Sequence, residues 1–504
     1  MTSERARTAV GLRSERGPVL LSVMLSTALV AIDATILAAA VPAIVTDLGG
    51  FSQFPWLFSI YLLAQAVSVP VYGKLADSMG RKPVMLVGIA LFLLGSVLCG
   101  VAGSMPLLIA ARAVQGLGAG ATLPMSMTIV GDIYTVEERA RVQGFIASVW
   151  GTASIVGPTL GGVFSEYLSW RWIFFVNLPI GALAAWMLVR QFHEHIERRR
   201  HRIDYLGTVV LTAGGTLLIL ALLQGGHSWD WDSPVSIGLF TASALLILAF
   251  PFVERRAAEP VLPLWVFGRR ILVGANLVAL LVGAVLIGLT SYVPTYAQGV
   301  LGYGATLAGF ALAAMTIGWP IAAATAGRLY MRIGFRDTAL IGAGLIITGT
   351  LLMLTIGEGS SLWAVAGYTF VIGLGLGYTA SPTLVAVQSS VGWQQRGVVT
   401  AANMFARSVG SAVGVAVFGA IANATLARRF AEPPPGAEGP LPSTADDAAL
   451  ALDAGSGIAP AVRDFVRQAL ADATHNVFIG LAVLAALVLV GLAVMPRRTV
   501  EVDS

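Results

Sequence analysis

The stretch GKLADSMGRKP, Gly73 to Pro83, places four charges within eleven residues of a chain in which only 12% of the residues are charged. The 504-residue chain as a whole is strongly apolar, with 56% hydrophobic residues and a mean hydropathy of +0.80. A soluble protein could not cover so many apolar side chains with polar surface. The sequence therefore predicts a membrane protein, with GKLADSMGRKP as a polar loop between two membrane spans.

Apolar stretches of about 20 residues, the length that crosses a bilayer as a helix, recur along the chain. Fourteen are predicted, at 18–45, 54–73, 83–102, 105–131, 142–165, 172–191, 205–223, 233–252, 271–297, 305–327, 338–356, 361–388, 398–424 and 475–494. The expected fold class is an all-α membrane protein. Because the number of spans is even, both termini are expected on the same side of the membrane.

The distribution of lysine and arginine predicts the orientation, since basic residues concentrate in cytoplasmic loops. Of the 31 basic residues, two lie inside spans and 24 lie at the termini or in the loops that follow even-numbered spans. The remaining five, in the opposite loops, are Arg171, Arg428, Arg429, Arg463 and Arg467. Both termini are therefore predicted to be cytoplasmic. The same distribution explains the net charge of +4 without a nucleic-acid partner. Lysine occurs only at Lys74 and Lys82, which suggests a GC-rich bacterial genome and hence a bacterial plasma membrane.

Similar segments recur at an offset of about 255 residues, as in transporters built from repeats. The three matches are Gly73-Lys-Leu75 and Gly80 with Gly327-Arg-Leu329 and Gly334, Gly116–Gly120 with Gly373–Gly377, and Arg141 with Arg396. They predict two pseudo-symmetric six-helix bundles with two inserted transmembrane helices, expected at the periphery. The predicted parts are a cytoplasmic N-terminus (1–17), an N-terminal bundle (18–191), a linker with the inserted helices (192–270), a C-terminal bundle (271–494) and a cytoplasmic C-terminus (495–504).

The C-terminal bundle includes a long predicted external loop, 425–474. Its first part is rich in proline and polar residues and resembles a disordered segment. Its second part spaces apolar residues on one helix face, namely Val462, Phe465, Val466, Ala469 and Ala473. We expect a surface helix leading into the last span, with a lid or a partner site as the alternative.

Three charged residues lie well inside predicted spans, where each costs about 2.5–3.5 kcal/mol. Burial of Asp33 favours its neutral form and a nearby arginine favours its ionised form, so it is a candidate proton carrier. The alternative is a permanent ion pair with Arg112 that locks two helices. Arg112 stays charged, so we expect it to bias a neighbouring carboxylate. Arg407 has no acidic residue inside spans nine to fourteen to pair with. Its alternative partners are substrate, solvent or a backbone carbonyl, and a structural role is equally open.

Signals for an enzyme or a bound cofactor are weak. No strand precedes Gly116-x-Gly-x-Gly, so it does not indicate a nucleotide loop, and there is no Walker A motif for ATP coupling. The cluster His193-Glu-His195 with His201 lacks zinc-site spacing and is interpreted as solvated charge. We therefore expect neither catalytic residues, a metal nor a cofactor.

A glycine-rich segment, GTASIVGPTLGG (151–162), lies in the fifth span. Gly157 and Gly161 form a small-xxx-small face, and Pro158 removes one backbone hydrogen bond. With Gly162 they suit a helix at a moving interface, although simple helix packing explains the same residues.

Together these segments resemble the major facilitator superfamily, specifically its fourteen-helix drug:proton antiporter branch. GKLADSMGRKP is similar to the family's signature loop between helices two and three. The stretch around Arg112 resembles the fourth-helix signature, and GPTLGG (157–162) resembles the fifth-helix signature associated with export. AIDATILAAAVP (31–42) and WRWIFFVNLPIG (170–181) resemble signatures of the fourteen-helix branch.

The resemblance implies a conformational latch at the charged loop. Its residues here are Gly73, Asp77, Gly80, Arg81 and Asp132. Asp77 is expected to meet a helix N-terminus and Arg81 to meet Asp132 at the end of helix four, which would hold the outward-open state. Because Met331 occupies the place of Asp77 in the second copy, the latch should be one-sided.

The implied function is proton-coupled antiport that exports amphipathic small molecules (multidrug efflux) by alternating access. The proton gradient is the expected driving force. The expected working unit is a monomer in the lipid bilayer. Candidate substrate contacts are Gln65, Asn276, Tyr292, Asn403 and Arg407. A preference for cations does not follow, because Asp337 and Glu358 lie at span ends. The alternatives are a dedicated exporter of one endogenous metabolite, lipid or antibiotic, and a membrane sensor that transports nothing.

Overall fold

The computed structural model describes residues 11–49, 53–194, 204–226, 228–257, 260–431 and 460–497. This part of the chain is mainly helical and contains no β-strand. Its long helices are α1 (Gly17–Leu48), α2 (Pro55–Met79), α3 (Arg81–Gly100), α4 (Met105–Ile133), α5 (Val136–Tyr167), α6 (Asn177–Gln191), α7 (Tyr205–Gln224), α8 (Pro234–Glu254), α9 (Arg270–Thr295), α10 (Ala305–Ile333), α11 (Phe335–Met353), α12 (Leu362–Ser389), α13 (Arg396–Phe430) and α14 (Pro460–Val494). The predicted fold class is confirmed.

These helices have the dimensions of membrane spans. Within the described residues, 13 are long and apolar enough to cross a bilayer. The other long helix, α4, has 29 residues, but Arg112, Gln115 and several glycines lower its hydropathy. A helix of that length still spans the hydrocarbon core. The protein is a multi-pass membrane protein.

The packing repeats after eight helices. In the first half, α1 packs on α5 and α6, while α2 and α3 pack on α4. In the second half, α9 packs on α13 and α14, while α10 and α11 pack on α12. Gly80 and Gly334 precede α3 and α11 with φ of 97° and 90°, a conformation that favours glycine. The sequence match of Arg141 with Arg396 does not correspond to equivalent surroundings, because Arg141 is exposed and Arg396 is buried.

The two halves meet along two helix pairs, α2 with α13 and α5 with α10, which we call the seam. Small residues allow the close approach. A Cβ atom on Gly73 would lie 2.3 Å from the Cβ of Ala401, and one on Gly144 would lie 2.6 Å from the Cβ of Ala324. Packing this tight leaves no room for side chains between the crossing helices.

The inserted helices α7 and α8 differ from the prediction that both are peripheral. Helix α8 packs mainly on α7, but α7 packs on both α2 and α13 and so lies against the seam. Ile219 of α7 belongs to an apolar cluster with Val67 of α2 and Ala412 of α13. Helix α7 lacks charge on every face, so it can bury one face against the bundle while another contacts lipid.

The predicted external loop 425–474 is shorter than expected at both ends. Helix α13 continues to Phe430, and α14 begins at Pro460. The apolar face at Val462, Val466, Ala469 and Ala473 is buried in the core of the second half, so these turns are neither a surface helix nor a lid. The sequence pattern was amphipathic because one face packs on the bundle. The proline-rich stretch lies outside the described residues.

Candidate functional site

Asp33 lies in the middle of α1, inside the first half of the molecule, and is 1% exposed. Both carboxylate oxygens accept hydrogen bonds. Arg112 Nη1 donates to Oδ2 at 2.6 Å, and Gln115 Nε2 donates to Oδ1 at 2.7 Å. Asn177 Nδ2 lies 3.2 Å from the same Oδ1. The charge of the carboxylate is therefore compensated by one arginine and two amides.

Arg112 is held by groups other than Asp33. Its Nη1 also donates to Gln115 Oε1 at 2.6 Å, and its Nε donates to the carbonyl of Leu57 at 3.2 Å. The guanidinium lies over the ring of Tyr61, 4.1 Å from the centroid, where a cation–π contact is favourable. Three groups besides Asp33 therefore hold the arginine in position.

Sequence reasoning missed the amides and hydroxyls of this site. Ser96 Oγ receives hydrogen bonds from Gln115 and Asn177, at 2.9 and 3.2 Å, and links α3 to α4 and α6. Gln115 follows Arg112 by one helical turn, a spacing that could have indicated it. Asn177 lies in the quoted motif WRWIFFVNLPIG. Within the described chain, Tyr61 Oη and Asn177 Oδ1 are buried without a hydrogen-bond partner.

At the predicted cytoplasmic end, the carboxylate of Asp77 lies at the N-terminus of α13. The backbone N–H groups of Gly397 and Val398 donate to its two oxygens, both at 2.8 Å. A helix N-terminus carries partial positive charge and unpaired N–H groups, so it is a favourable site for a carboxylate. This contact joins α2 of one half to α13 of the other.

Arg81 is fully buried beside Asp77 and bonds to both halves. Its Nε donates to Asp132 Oδ2 at 2.9 Å, and its Nη2 lies 3.1 Å from Asp77 Oδ1. Its guanidinium stacks on the ring of Trp393 at 3.8 Å from the centroid. Arg396 of the second half donates to the other oxygen of Asp132 at 3.1 Å. Asp132 therefore bridges one arginine from each half.

Glu194 belongs to this end as well, although the sequence suggested only solvated charge for the His193-Glu-His195 cluster. Its carboxylate accepts from the backbone N–H groups of Arg81 and Lys82 at 2.9–3.1 Å and so caps the N-terminus of α3. His195 and His201 lie outside the described residues. No group of three metal-binding side chains occurs in the described ranges.

The opposite crossing, α5 with α10, has no carboxylate at the corresponding place, where Met331 is 47% exposed. Instead, the hydroxyl of Tyr330 donates to the carbonyl of Val136. Arg139 Nη1 donates to Ser389 Oγ at 3.2 Å. Hydrogen bonds between the halves thus concentrate at the predicted cytoplasmic end. Of the two crossings, the α2–α13 crossing places a carboxylate of one half at a helix N-terminus of the other.

The fifth-helix glycines pack within one half rather than at the seam. A Cβ atom on Gly157 would lie 2.0 Å from Thr35 Oγ1 of α1, and one on Gly161 would lie 2.5 Å from the carbonyl oxygen of Ile36. Pro158 is exposed, and a Cβ on Gly162 would meet nothing within 4 Å. The close contact fixes α5 on α1, the helix that carries Asp33.

We expect Gly161→Ala to destabilise the protein by about 1–3 kcal/mol, because its methyl group would push α5 away from the backbone of α1. Gly162→Ala is the matched control and should change stability little. Thermal unfolding in detergent measures both. Equal unfolding midpoints for the two variants would contradict the packing described above.

The predicted substrate contacts do not form one cluster. Asn403 Nδ2 of α13 donates to the carbonyl of Ala275 at 3.2 Å and to Asn276 Oδ1 at 3.3 Å. Tyr292 lies sixteen residues beyond Asn276 on α9, about 24 Å along the helix axis, and packs on Phe418. Asn276 and Asn403 therefore meet, whereas Tyr292 lies at another depth.

Gln65 and Arg407 lie at similar depth on α2 and α13. The two helices cross where Gly73 meets Gly397 and Ala401. Gln65 is eight residues from that crossing on one helix, and Arg407 is six to ten residues from it on the other. Both side chains are partly exposed. They therefore lie near the middle of the spans, beyond the closed contacts of the seam.

Comparison with known proteins identifies the family. The sequence profile described as Major Facilitator Superfamily matches residues 23–415. Multidrug resistance protein 3 of Bacillus subtilis (strain 168) is 37% identical over 403 residues, covering 80% of this chain and 79% of that protein. Multidrug transporter protein MdtP of the same organism is 34% identical, covering 82% and 76%. Efflux pump dotC of Dothistroma septosporum (strain NZE10 / CBS 128990) is 32% identical, covering 93% and 82%.

Solved structures agree on the fold. The human organic anion transporter MFSD10 (TETRAN) aligns with a TM-score of 0.63 at 15% identity, covering 96% of this chain and 99% of that one. The proton:xylose symporter XylE aligns with a TM-score of 0.61 at 13% identity, covering 93% and 94%. At such low identity these structures establish the architecture alone.

Proposed function

Because this chain belongs to the major facilitator superfamily, we propose that it is a proton-coupled antiporter that exports amphipathic small molecules from a bacterial cell by alternating access. Its relatives are transporters and not enzymes. The relatives named above include a multidrug resistance protein and an efflux pump. The proposal extends their export function to this chain and adds the proton as the coupled ion.

The buried carboxylate of Asp33 is the observation that carries the proposal. An ionisable group inside the membrane is costly, and such groups mark proton and substrate pathways. Ionised, Asp33 is paired with Arg112 and Gln115. Protonated, it would lose the attraction of Arg112 and gain an O–H donor, for which the unpartnered Oδ1 of Asn177 is an acceptor after rotation of the amide. The site offers partners to both protonation states.

Proton loading would be transmitted through the helices that meet at Asp33. The site joins α1 to α3, α4 and α6, and α4 ends at Asp132 of the latch. We propose that protonation from outside weakens substrate binding and favours return to the inward-open state, and that proton release inside restores binding. The latch at Asp77 and Arg81 would stabilise the outward-open state in this cycle.

The proton gradient is large enough for this task. One proton that crosses 100 mV and one pH unit releases about 3.7 kcal/mol. That energy sustains a gradient of several hundredfold for one neutral substrate molecule per proton. No other energy source is needed for export.

Proton release measures the coupling directly. In proteoliposomes without other ions that could be exchanged, adding an exported dye should release protons in proportion to the dye transported. Vesicles without protein provide the background. Transport of the dye at a rate independent of the pH gradient, with no proton movement, would exclude proton antiport.

A further inference from the structure

Arg407 is a charged residue inside a membrane span that neither the proton site nor the latch uses. It lies on α13, eleven residues and about 16 Å of helix beyond the first residue, Arg396. Asp33 and Arg112 form a pair with each other. In contrast, none of the described residues accepts a hydrogen bond from the Arg407 guanidinium or forms an ion pair with it. Arginine stays charged in proteins, so an unpaired guanidinium at this depth requires a compensating group.

The second half offers no fixed acid to compensate the charge. In its described part, Asp337 lies in the first turn of α11 and Glu358 lies in an exposed loop. Asp472 pairs with Arg429 near the ends of α13 and α14, and Asp464 is exposed in the first turns of α14. Asp33, in the first half, is buried in its own network. The missing counter-charge is therefore not part of the described protein.

The position of Arg407 on α13 indicates where a counter-charge could bind. One turn before it, Met404 packs against Leu29 and Tyr61 of the first half. Other faces of α13 are covered by α2, α7, α9 and α14. Exposure increases along the same face, from Met404 at 7% to Val415 at 36%. Arg407 therefore lies on the face turned toward the first half, just beyond the point where the seam closes.

Helix α9 shapes the space beside Arg407. Gly283 lets α13 approach so closely that a Cβ there would lie 2.1 Å from the carbonyl oxygen of Arg407 and 3.1 Å from its Cγ. The stem of the arginine thus lies against α9. The Asn276–Asn403 pair lies one turn toward the seam, and the hydroxyl of Ser411 lies one turn away on the other side. Polar side chains therefore lie one helical turn to either side of Arg407 on α13.

We propose that Arg407 binds the anionic group of the exported compound, which makes amphipathic organic anions the preferred substrate class. A guanidinium can hold a carboxylate or sulfonate through two parallel N–H···O bonds. Val415, which is exposed on the same face two turns further along α13, would contact the hydrophobic body of the ligand. The assignment of this ligand as exported substrate rests on the proposed export function, but the anion site itself does not.

Equilibrium binding tests the site without requiring transport. The probes are 1-pyrenebutyrate and 1-pyrenebutanol, which share an apolar body and differ in the carboxylate. Energy transfer from the protein's tryptophans to pyrene reports binding in phosphatidylcholine nanodiscs, with empty nanodiscs subtracted. The variants are Arg407→Gln, which removes the charge, Arg407→Lys, which keeps it, and Arg428→Gln as a control on an exposed arginine of the same helix.

We expect the wild-type protein to bind the carboxylate more tightly than the alcohol, and Arg407→Gln to weaken carboxylate binding by about 10- to 100-fold with little change for the alcohol. Arg407→Lys should retain part of the preference, and Arg428→Gln should retain all of it. An equal carboxylate preference in the wild type and in Arg407→Gln would overturn the proposal. Equal losses of both probes in the Gln and Lys variants would overturn it too.

A second set of nanodiscs distinguishes two sources of the anion. If phosphatidylglycerol competes with pyrenebutyrate in the wild type but not in Arg407→Gln, a lipid headgroup reaches the site. If it does not compete, the site selects a free amphipathic anion. If the wild-type protein binds the carboxylate but transports dye without releasing protons, the anion site is supported and the coupled mechanism is excluded.

Discussion

Replacing Asp33 by asparagine is expected to abolish proton-driven export. Asparagine keeps the shape of the side chain but cannot bind or release a proton near neutral pH. The substrate gradient that proteoliposomes sustain should therefore fall from as much as several hundredfold to none, since the energy of the proton is no longer coupled. Both the dye gradient and dye-induced proton release are measured in the same vesicles.

We expect the variant to be less stable than the wild-type protein, because the buried charge of Arg112 loses its counter-charge. Arg112 retains its bond to Leu57, its bond to Gln115 and its contact with Tyr61. Substrate exchange across vesicles without a pH gradient then reports whether the binding site and the conformational change survive. Asp47→Asn is the matched control on the same helix, because Asp47 is a half-exposed acid that pairs with Arg171. Undiminished proton release by Asp33→Asn would remove this residue from the coupling mechanism.

Asp77→Asn is expected to shift the conformational equilibrium toward the inward-open state by about 10- to 100-fold. The two backbone N–H groups of α13 now bond to a charged carboxylate, and each such bond contributes about 1.5–3 kcal/mol. The amide keeps one acceptor oxygen and loses the charge, so roughly one charged bond is lost, together with the attraction to Arg81. The lost contacts exist only when the predicted cytoplasmic end is closed, so their loss changes the ratio of the outward-open to the inward-open state.

Cysteine labelling measures this shift. The only native cysteine, Cys99, is buried and can be replaced by alanine. Single cysteines introduced on the seam at either end of the spans then report accessibility from each side. Glu137→Gln serves as the control, because Glu137 is an exposed acid in the first turn of α5 and is close to the latch. Identical labelling of Asp77→Asn and the wild-type protein would show that the carboxylate does not stabilise the closed end.

Part of the site could be predicted because its residues are exceptional in their surroundings. A charge in an apolar span is rare for a clear energetic reason, so Asp33, Arg112 and Arg407 were identifiable individually. Their uncharged partners were not. Gln115, Ser96 and Asn177 are ordinary polar residues of transmembrane helices, and only the packing of α1, α3, α4 and α6 places them around one carboxylate.

The class of the molecule could be predicted from the sequence, because hydropathy and charge are properties of single residues and short windows. The length of apolar runs predicted the fourteen helices, and the recurrence of short motifs predicted two related halves. Which surfaces of these helices meet became clear from the packed fold. It placed α7 against the seam, turned the apolar face at Val462 and Ala473 into core, and gave Glu194 a helix terminus to cap. These features depend on contacts between residues distant in the chain, for which a single sequence carries no local signal.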